Sequence, residues 1–582
     1  MTGAGGGKNP WRGSWLKELT VQLAPGSKTP PAAATAPAIG QGKLAVKDIT
    51  LTGAAKLADS QTSLHAETFS AGFVQSSGKH SGSALRQFVA DGNVSIADTN
   101  PGLPTSDINS MRCAHLILLT RRPTAQGNPV PDELKAHGRI ALTFYQKAAK
   151  AGGIPEKFTI SAGLLHAHLI SRTGSRTAAA TSLTGNPGGQ LTVGRFRIWN
   201  NTVVHIYHIG RPIKATAYEL SGDRTRGTVT LQSDRTGKIP SAIYQGADWL
   251  KGRTIKLQRA LQQVTVPGAG ELSIPESSKA AEPRVDVTWQ RQMQYSAKTR
   301  QATLAGHVVA ALVGRPEQHS SLTAPAMLIH FEHRTADRNA MKLAQLVAFA
   351  PTGGNTVVAR DDSYSKTGAL LTGMRLNCRK LAYNAIESLL KIPTAGEMVL
   401  LDYRPARTTD TAQQRGQSAF SWSQSLAYHG KTGVVTLRGK VHLRFRPTKP
   451  LPVPKTGPDS SPKNPNSGIV LLDADEVLAN LNHTASPVKN GVDLGMGGPT
   501  RLQSVTATNA ALEVNGMNLD AGMLKFDAAN DIAQAYGLNG QNAIFSDISG
   551  TLHGQARHII WNLSKARGGV TLIQPTGTAT LP

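Results

Sequence analysis

Residues 289–308 read WQRQMQYSAKTRQATLAGHV, and residues 422–441 read WSQSLAYHGKTGVVTLRGKV. A shift of 133 positions lays Trp289 on Trp422, Met293 on Leu426, Tyr295 on Tyr428, Leu304 on Leu437, Gly306 on Gly439 and Val308 on Val441 without a gap. So many matches in register, with no insertion, mark an internal repeat.

The period of the repeat assigns its local structure. Over residues 435–445 the odd positions are Val435, Leu437, Gly439, Val441, Leu443 and Phe445, and the even ones are Thr436, Arg438, Lys440, His442 and Arg444. Successive strand side chains point to opposite faces, so this is a strand with one apolar and one cationic face. Between the Tyr and the Leu of each copy lies a short polar segment, 296–300 or 429–433, that predicts a hairpin turn. Each copy is expected to be a β-hairpin with one apolar face.

Other elements recur around it. Residues 63–73 and 85–96 form a fainter third hairpin, with Gly92 in the place of Gly306. Residues 322–331 (LTAPAMLIHF) read as a strand with Met327, Ile329 and Phe331 on one face, and 111–120, 191–199 and 468–481 are its counterparts. Pro-x-x-Gly-Glu stands at 267–271 and 393–397. It favours a tight turn, because Pro presets φ and Gly tolerates positive φ.

A chain of 582 residues exceeds one core, and at about 150 residues per domain it holds three or four units. Gly and Pro are plentiful and aromatics make up 5%, a composition suited to many strands joined by turns. The expected division is a Gly/Pro/Ala-rich leader at 1–41, then β-repeats at 42–272, 285–405 and 418–582, the last with a Pro-rich insertion at 446–467.

The net charge of +26 implies a cationic surface attractive to nucleic acid, anionic lipid or acidic glycan. Lys and Arg are scattered without a long run, which argues against a nucleic-acid interface. The two cysteines have no metal-ligand spacing, and Cys378 shares a face with Met374 and Leu376, the place of a small buried hydrophobe. No apolar run reaches 18 residues, so no helix is expected to span a membrane, and the first 19 residues contain no apolar signal core.

Catalytic patterns are thin. His205 and His208 point to opposite faces of a strand, and the segment 330–333 (HFEH) is not HExxH. His166 and His168 share a face, but two ligands are too few for a metal. No G-x-S-x-G occurs, the GKT at 430–432 lacks the upstream Gly of a phosphate loop, and the GMGG at 495–498 precedes no helix pattern. The expectation is a protein without catalytic activity, metal or cofactor.

An aromatic strand, a turn, a strand ending L-x-G-x-V, then L-x-A followed by alternating apolar residues is a combined pattern. It is carried by Met293, Tyr295, Leu304, Gly306, Val308, Leu322, Ala324, Met327, Ile329 and Phe331, by Leu426, Tyr428, Leu437, Gly439 and Val441, and by Gly92, Val94 and Met111. In these three patches the chain resembles the OstA-like family of lipopolysaccharide-transport periplasmic bridge proteins. The resemblance implies an all-β fold of tandem antiparallel β-jellyroll repeats, each folded like an open V in the manner of a β-taco and stacked along one axis. It further implies a periplasmic or envelope location and an apolar inner face that carries the acyl chains of a glycolipid such as lipopolysaccharide. The repeats here are longer than the family's minimal hairpin, and several are fused in one chain.

The residues support the same mechanism on physical grounds. Each buried methylene is worth about 0.8 kcal/mol, so hiding a 12-carbon chain from water is worth roughly 10 kcal/mol. The candidate lining is Met293, Tyr295, Leu304, Val308, Met327, Ile329 and Phe331, then Leu426, Tyr428, Leu437, Val441 and Leu443. The cations Arg438, Lys440, His442 and Arg444 belong on the outside, and open edge strands would recruit other jellyrolls by strand addition. The alternative is that the lining simply fills closed cores in a structural or adhesive β-repeat protein without a ligand.

Overall fold

The computed structural model describes residues 12–25, 44–58, 62–75, 83–98, 110–121, 130–146, 156–171, 191–208, 211–275, 283–334, 337–351, 356–403, 416–447, 469–483, 500–547, 552–563 and 569–576. They form antiparallel strands and turns with no helix, so the all-β expectation holds, and none of these residues lies in a helix long and apolar enough to cross a membrane. The chain divides into two compact units, Met1–Gly268 and Ala269–Pro582.

The first unit holds β1 (Arg12–Ser14), β2 (Glu18–Pro25), β3 (Leu44–Ala58), β4 (Thr62–Gln75), β5 (Ser83–Asp98), β6 (Ser110–Arg121), β7 (Val130–Gln146) and β8 (Glu156–Ser171). It continues with β9 (Leu191–His208), β10 (Arg211–Asp223), β11 (Thr228–Gln232), β12 (Ser241–Gln245), β13 (Asp248–Gly252), β14 (Thr254–Gln258) and β15 (Gln263–Pro267). From β2 to β10 each strand pairs with the next. At β10 the sheet divides: one half of the strand pairs with β11, which leads to β14 and β15, and the other half pairs with β12, which leads to β13.

The second unit begins with β16 (Gly270–Pro275), β17 (Arg284–Trp289), β18 (Gln292–Ser296), β19 (Gln301–Val313), β20 (Gln318–Arg334), β21 (Asp337–Phe349) and β22 (Val357–Tyr364). Next come β23 (Leu370–Cys378), β24 (Lys380–Asn384), β25 (Leu389–Ile392), β26 (Gly396–Asp402), β27 (Gly416–Trp422), β28 (Ser425–His429) and β29 (Val434–Pro447). The last are β30 (Val470–His483), β31 (Thr500–Val514), β32 (Met517–Asp527), β33 (Ile532–Tyr536), β34 (Ala543–Asp547), β35 (His553–Asn562) and β36 (Gly569–Pro575). Between β20 and β29 the sheet runs as two tracks, β22–β23–β26–β27 and β21–β24–β25–β28, which rejoin on the two halves of β29.

The repeated glycine makes the corner between the tracks. In β19 the register against β20 slips between Ala305 and Val308, so Gly306 and His307 together oppose Pro325. In β29 Gly439 and Lys440 likewise oppose Asp475. All four residues have positive φ, at 82° and 46° and at 79° and 41°. A Cβ on Gly306 would also stand 2.5 Å from Arg291 Cβ and 2.8 Å from its backbone nitrogen. Conformation and space therefore both demand glycine at the first position of this β-bulge. Positive φ recurs at Gly53–Ala54 in β3, Gly92–Asn93 in β5, Gly138–Arg139 in β7 and Asn200–Asn201 in β9.

A bulge sets two residues against one, so the partner strand changes its buried parity. In β20 Leu322 and Ala324 are buried before the corner, and Met327, Ile329 and Phe331 after it. The consequence is a sheet bent into two limbs that share an inner face. Phe545 pairs opposite Gly554, and Trp561 lies seven residues further along β35, about 23 Å at strand spacing. The rings of Phe545 and Trp561 nevertheless meet edge to face, with centroids 5.4 Å apart. The strand doubles back between them, and the limbs face each other.

Several expectations change in detail. The hairpin is β18–β19, whereas Trp289 ends β17 on the other limb, because the residues after it, Gln290 and Arg291, cross the corner. The Pro-x-x-Gly-Glu at 393–397, expected as a tight turn, is a crossing between limbs, since β25 pairs with β24 and β28 while β26 pairs with β23 and β27. Within the Gly/Pro-rich first 41 residues, β1 and β2 pair with β3, using the alternation of Leu19, Val21 and Leu23. The strands flanking the linker placed at 273–284 pair from Gly270–Trp289 to Pro275–Arg284. Most of the segments 407–417 and 446–467 lies outside the described residues.

Candidate apolar groove

The inner face is built from ladder rows, in which cross-strand pairing carries one apolar position from strand to strand. On one limb of the second unit a row runs Tyr295, Ala302, Ile329, Leu346, Tyr383, Leu390, Tyr428, Val435, Ala479, Val505, Phe526, Ala533 and Trp561. On the other limb a row runs Leu272, Val287, Ala310, Leu322, Ala359, Leu376, Met398, Phe420, Leu443, Leu472, Leu512, Leu519 and Phe545. Neither row contains a charged residue or an amide. At about 4.8 Å between strands each row is roughly 58 Å long. Their last members are Trp561 and Phe545, the pair that touches across the limbs.

All twelve sequence-derived lining residues belong to this face. Tyr295, Ile329 and Tyr428 lie in the first row and Leu443 in the second. Met293, Leu304 and Met327 form a parallel row nearer the corner, as do Leu426 and Leu437. Val308 and Val441 sit just beyond the two corners, opposite Ala324 and Ala474. Phe331 reaches back to Tyr295, with ring centroids 6.1 Å apart. Burial pushes the Tyr295 phenol up, opposed by Arg300. Ten of the twelve are 0–3% exposed, while Tyr295 and Leu443 are half-buried.

Polarity returns at the lip, away from the corner. Asp361 accepts hydrogen bonds from Ser320 Oγ at 2.6 Å and Gln318 Nε2 at 3.2 Å, and Asp362 accepts from Arg360 Nε at 2.5 Å. That bond holds the Arg360 guanidinium above its ordinary range. On the outer face Arg438, Lys440, His442 and Arg444 are exposed, as their alternation predicts. Arg438 is paired with Glu476 at 3.1 Å, which neutralises one charge of this row, and His442 contacts Asp473 on the same partner strand β30.

The first unit, expected from sequence as β-repeats over 42–272 but without named lining residues, is built the same way. One of its rows runs Leu19, Leu51, Phe69, Ala90, Leu116, Ala136, Leu165, Ile198, Leu220, Leu231 and Ile255. On its other limb a row runs Leu57, Leu64, Ile96, Met111, Leu142, Ile160, Val204, Ala215, Ile243 and Leu250. A sequence signal was present at the start. Trp15 precedes Leu19 by the spacing of Trp289 to Met293 and Trp422 to Leu426. The residues that cross the corner then donate backbone bonds to a bulge: Leu16 to Gly53 at 2.8 Å, Gln290 to Gly306 at 2.7 Å and Ser423 to Gly439 at 2.6 Å. The 26–43 segment between β2 and β3 hid this copy by breaking the spacing from Trp to Gly.

Trp289 and Trp422 are buried, and the Trp422 indole donates to the Thr394 carbonyl at 2.9 Å, tying one crossing to the next. The GKT at 430–432 is the turn of the β28–β29 hairpin, and the 495–498 segment lies outside the described residues. The sequence matches no protein-family model and no curated protein.

Proposed function

We propose that this chain is a non-catalytic envelope protein of the OstA-like kind, which shields the acyl chains of a glycolipid between the two limbs of a folded sheet. The paired apolar rows of the second unit carry this reading. A lipid tail laid between them replaces one apolar neighbour with another, and only the limb-to-limb packing has to yield. Among the described residues the backbone hydrogen bonds run within a limb or at the corner, so the limbs can part by flexing at the bulges with the ladders intact. The polar lip at Gln318, Ser320 and Asp361 offers donors and acceptors to a headgroup.

A second reading rests on the near-complete burial of the lining. Walls already packed side chain to side chain also suit a structural β-repeat protein with no cargo. Mass spectrometry of lipids that co-purify with the full chain separates the two, together with photo-crosslinking from a benzophenone residue in place of Phe420. Glycolipid in the purified protein, and its crosslink at position 420, is the expected result. A lipid-free preparation that gains no crosslink on incubation with lipopolysaccharide overturns the carrier reading in favour of the structural one.

A further inference from the structure

The outer face of the first unit holds a set of side chains that the groove does not use. His166 and His168 alternate with the buried Leu165 and Ala167 on β8, so both imidazoles point outward on the same side. Pairing with β7 places Glu133 directly opposite His168 and Lys135 opposite His166. His166 Nε2 stands 3.5 Å from Glu133 Oε2 and His168 Nδ1 stands 3.7 Å from Glu133 Oε1, and the ligand atoms of all three residues lie within 4.8 Å of one another. His166 Nε2 is buried and makes no hydrogen bond.

These distances match a metal's demand. Donors about 2.1 Å from a tetrahedral ion stand about 3.4 Å apart, so small side-chain rotations bring the three atoms onto one centre. Two imidazoles and a carboxylate are a donor set for a borderline divalent ion such as zinc, and they leave the fourth position open to water. The surrounding charge is already managed. Arg195 and Arg197, on the next strand opposite His168 and His166, are bound to Asp223 at 3.1 Å and to Glu219 at 2.7 Å. The remaining competitor is Lys135, whose Nζ is 3.0 Å from Glu133 Oε2. Its side chain is half exposed and free to swing into solvent.

We infer that Glu133, His166 and His168 form a divalent transition-metal site that clips β7 to β8 on the outer face of the first unit. The two histidines alone lacked a third ligand. The antiparallel register supplies it from a residue 33 positions upstream of His166.

Isothermal titration of the full chain with zinc chloride tests the site, with each variant checked for native circular dichroism. Wild type is expected to bind one more equivalent than the triple variant Glu133→Gln, His166→Gln, His168→Gln. Each single variant is expected to weaken that equivalent at least about tenfold. Lys135→Met removes the competing cation from surface positions and is expected to tighten binding by about fivefold. Equal zinc binding by wild type and the triple variant overturns the site, and so does a Lys135→Met protein that binds no more tightly than wild type. Neither outcome depends on lipid binding.

Discussion

Two stretches of the molecule solve the same problem differently. From β3 to β10 each strand runs through both limbs, and every second strand carries its corner inside the chain as a pair of residues at positive φ. From β22 to β28 the limbs are separate short strands, linked by brief crossings at Arg379, 393–395 and 423–424. The first solution fixes the bend in backbone conformation, at the cost of left-handed residues. The second leaves the bend to crossings and to packing between inner faces.

Predictions follow from that contrast. The largest effect belongs to contacts that hold facing limbs together. Trp561→Ala removes the side chain that meets Phe545 and is expected to cost about 3–5 kcal/mol in urea unfolding. A loss below 1 kcal/mol would mean that the limbs do not rely on this packing.

Next come two glycines with the same backbone angle, φ 82°, in different settings: Gly306 in a corner and Gly368 in the β22–β23 turn. Gly306→Ala meets the Arg291 backbone as well as the left-handed penalty and is expected to cost about 3 kcal/mol or more. Nothing lies within 4 Å of a Cβ at Gly368, so Gly368→Ala should cost only about 1–2 kcal/mol. Equal costs for the two would remove the distinction between corner and turn.

A smaller quantity is the coupling between Phe545 and Trp561. A double-mutant cycle to Ala is expected to give about 1 kcal/mol, as for other edge-to-face pairs. Zero coupling would place the two rings on limbs that do not meet in solution.

The smallest effect is chemical. Cys113 and Cys378 are free and buried, and burial pushes both thiols up to about 11, opposed by weaker backbone hydrogen bonds. At pH 8 roughly one thiol in a thousand is ionised, so a thiol-reactive dye should label neither in the folded protein and both in denaturant. Rapid labelling of Cys378 alone would show the divided stretch opening, and rapid labelling of Cys113 would put the through-strand stretch at the same level.

Much of this was legible in the chain. Alternation over 435–445 gave the strand, its inner and outer faces and the outward Arg438 and Arg444, because side-chain direction along an extended chain has a period of two. The repeat at 289 and 422 marked the glycines as special without saying why. A glycine that continues an apolar alternation looks like a small core residue, and only its φ and its contact with Arg291 show that it turns the strand. The same alternation cannot distinguish a hairpin turn from a corner crossing, which is how Trp289 was assigned to the hairpin, and Pro and Gly chemistry alone cannot tell a tight turn from the crossing found at 393–397.

By itself, the sequence determined that the protein is built from antiparallel strands with one apolar face, since that follows from local periodicity. Which residues share a row was decided by tertiary pairing: Tyr295 with Trp561 through a chain of ladders, and Glu133 with His166 and His168 across one. Register is a property of two strands at once. A slip of one residue would have turned every such side chain to the opposite face.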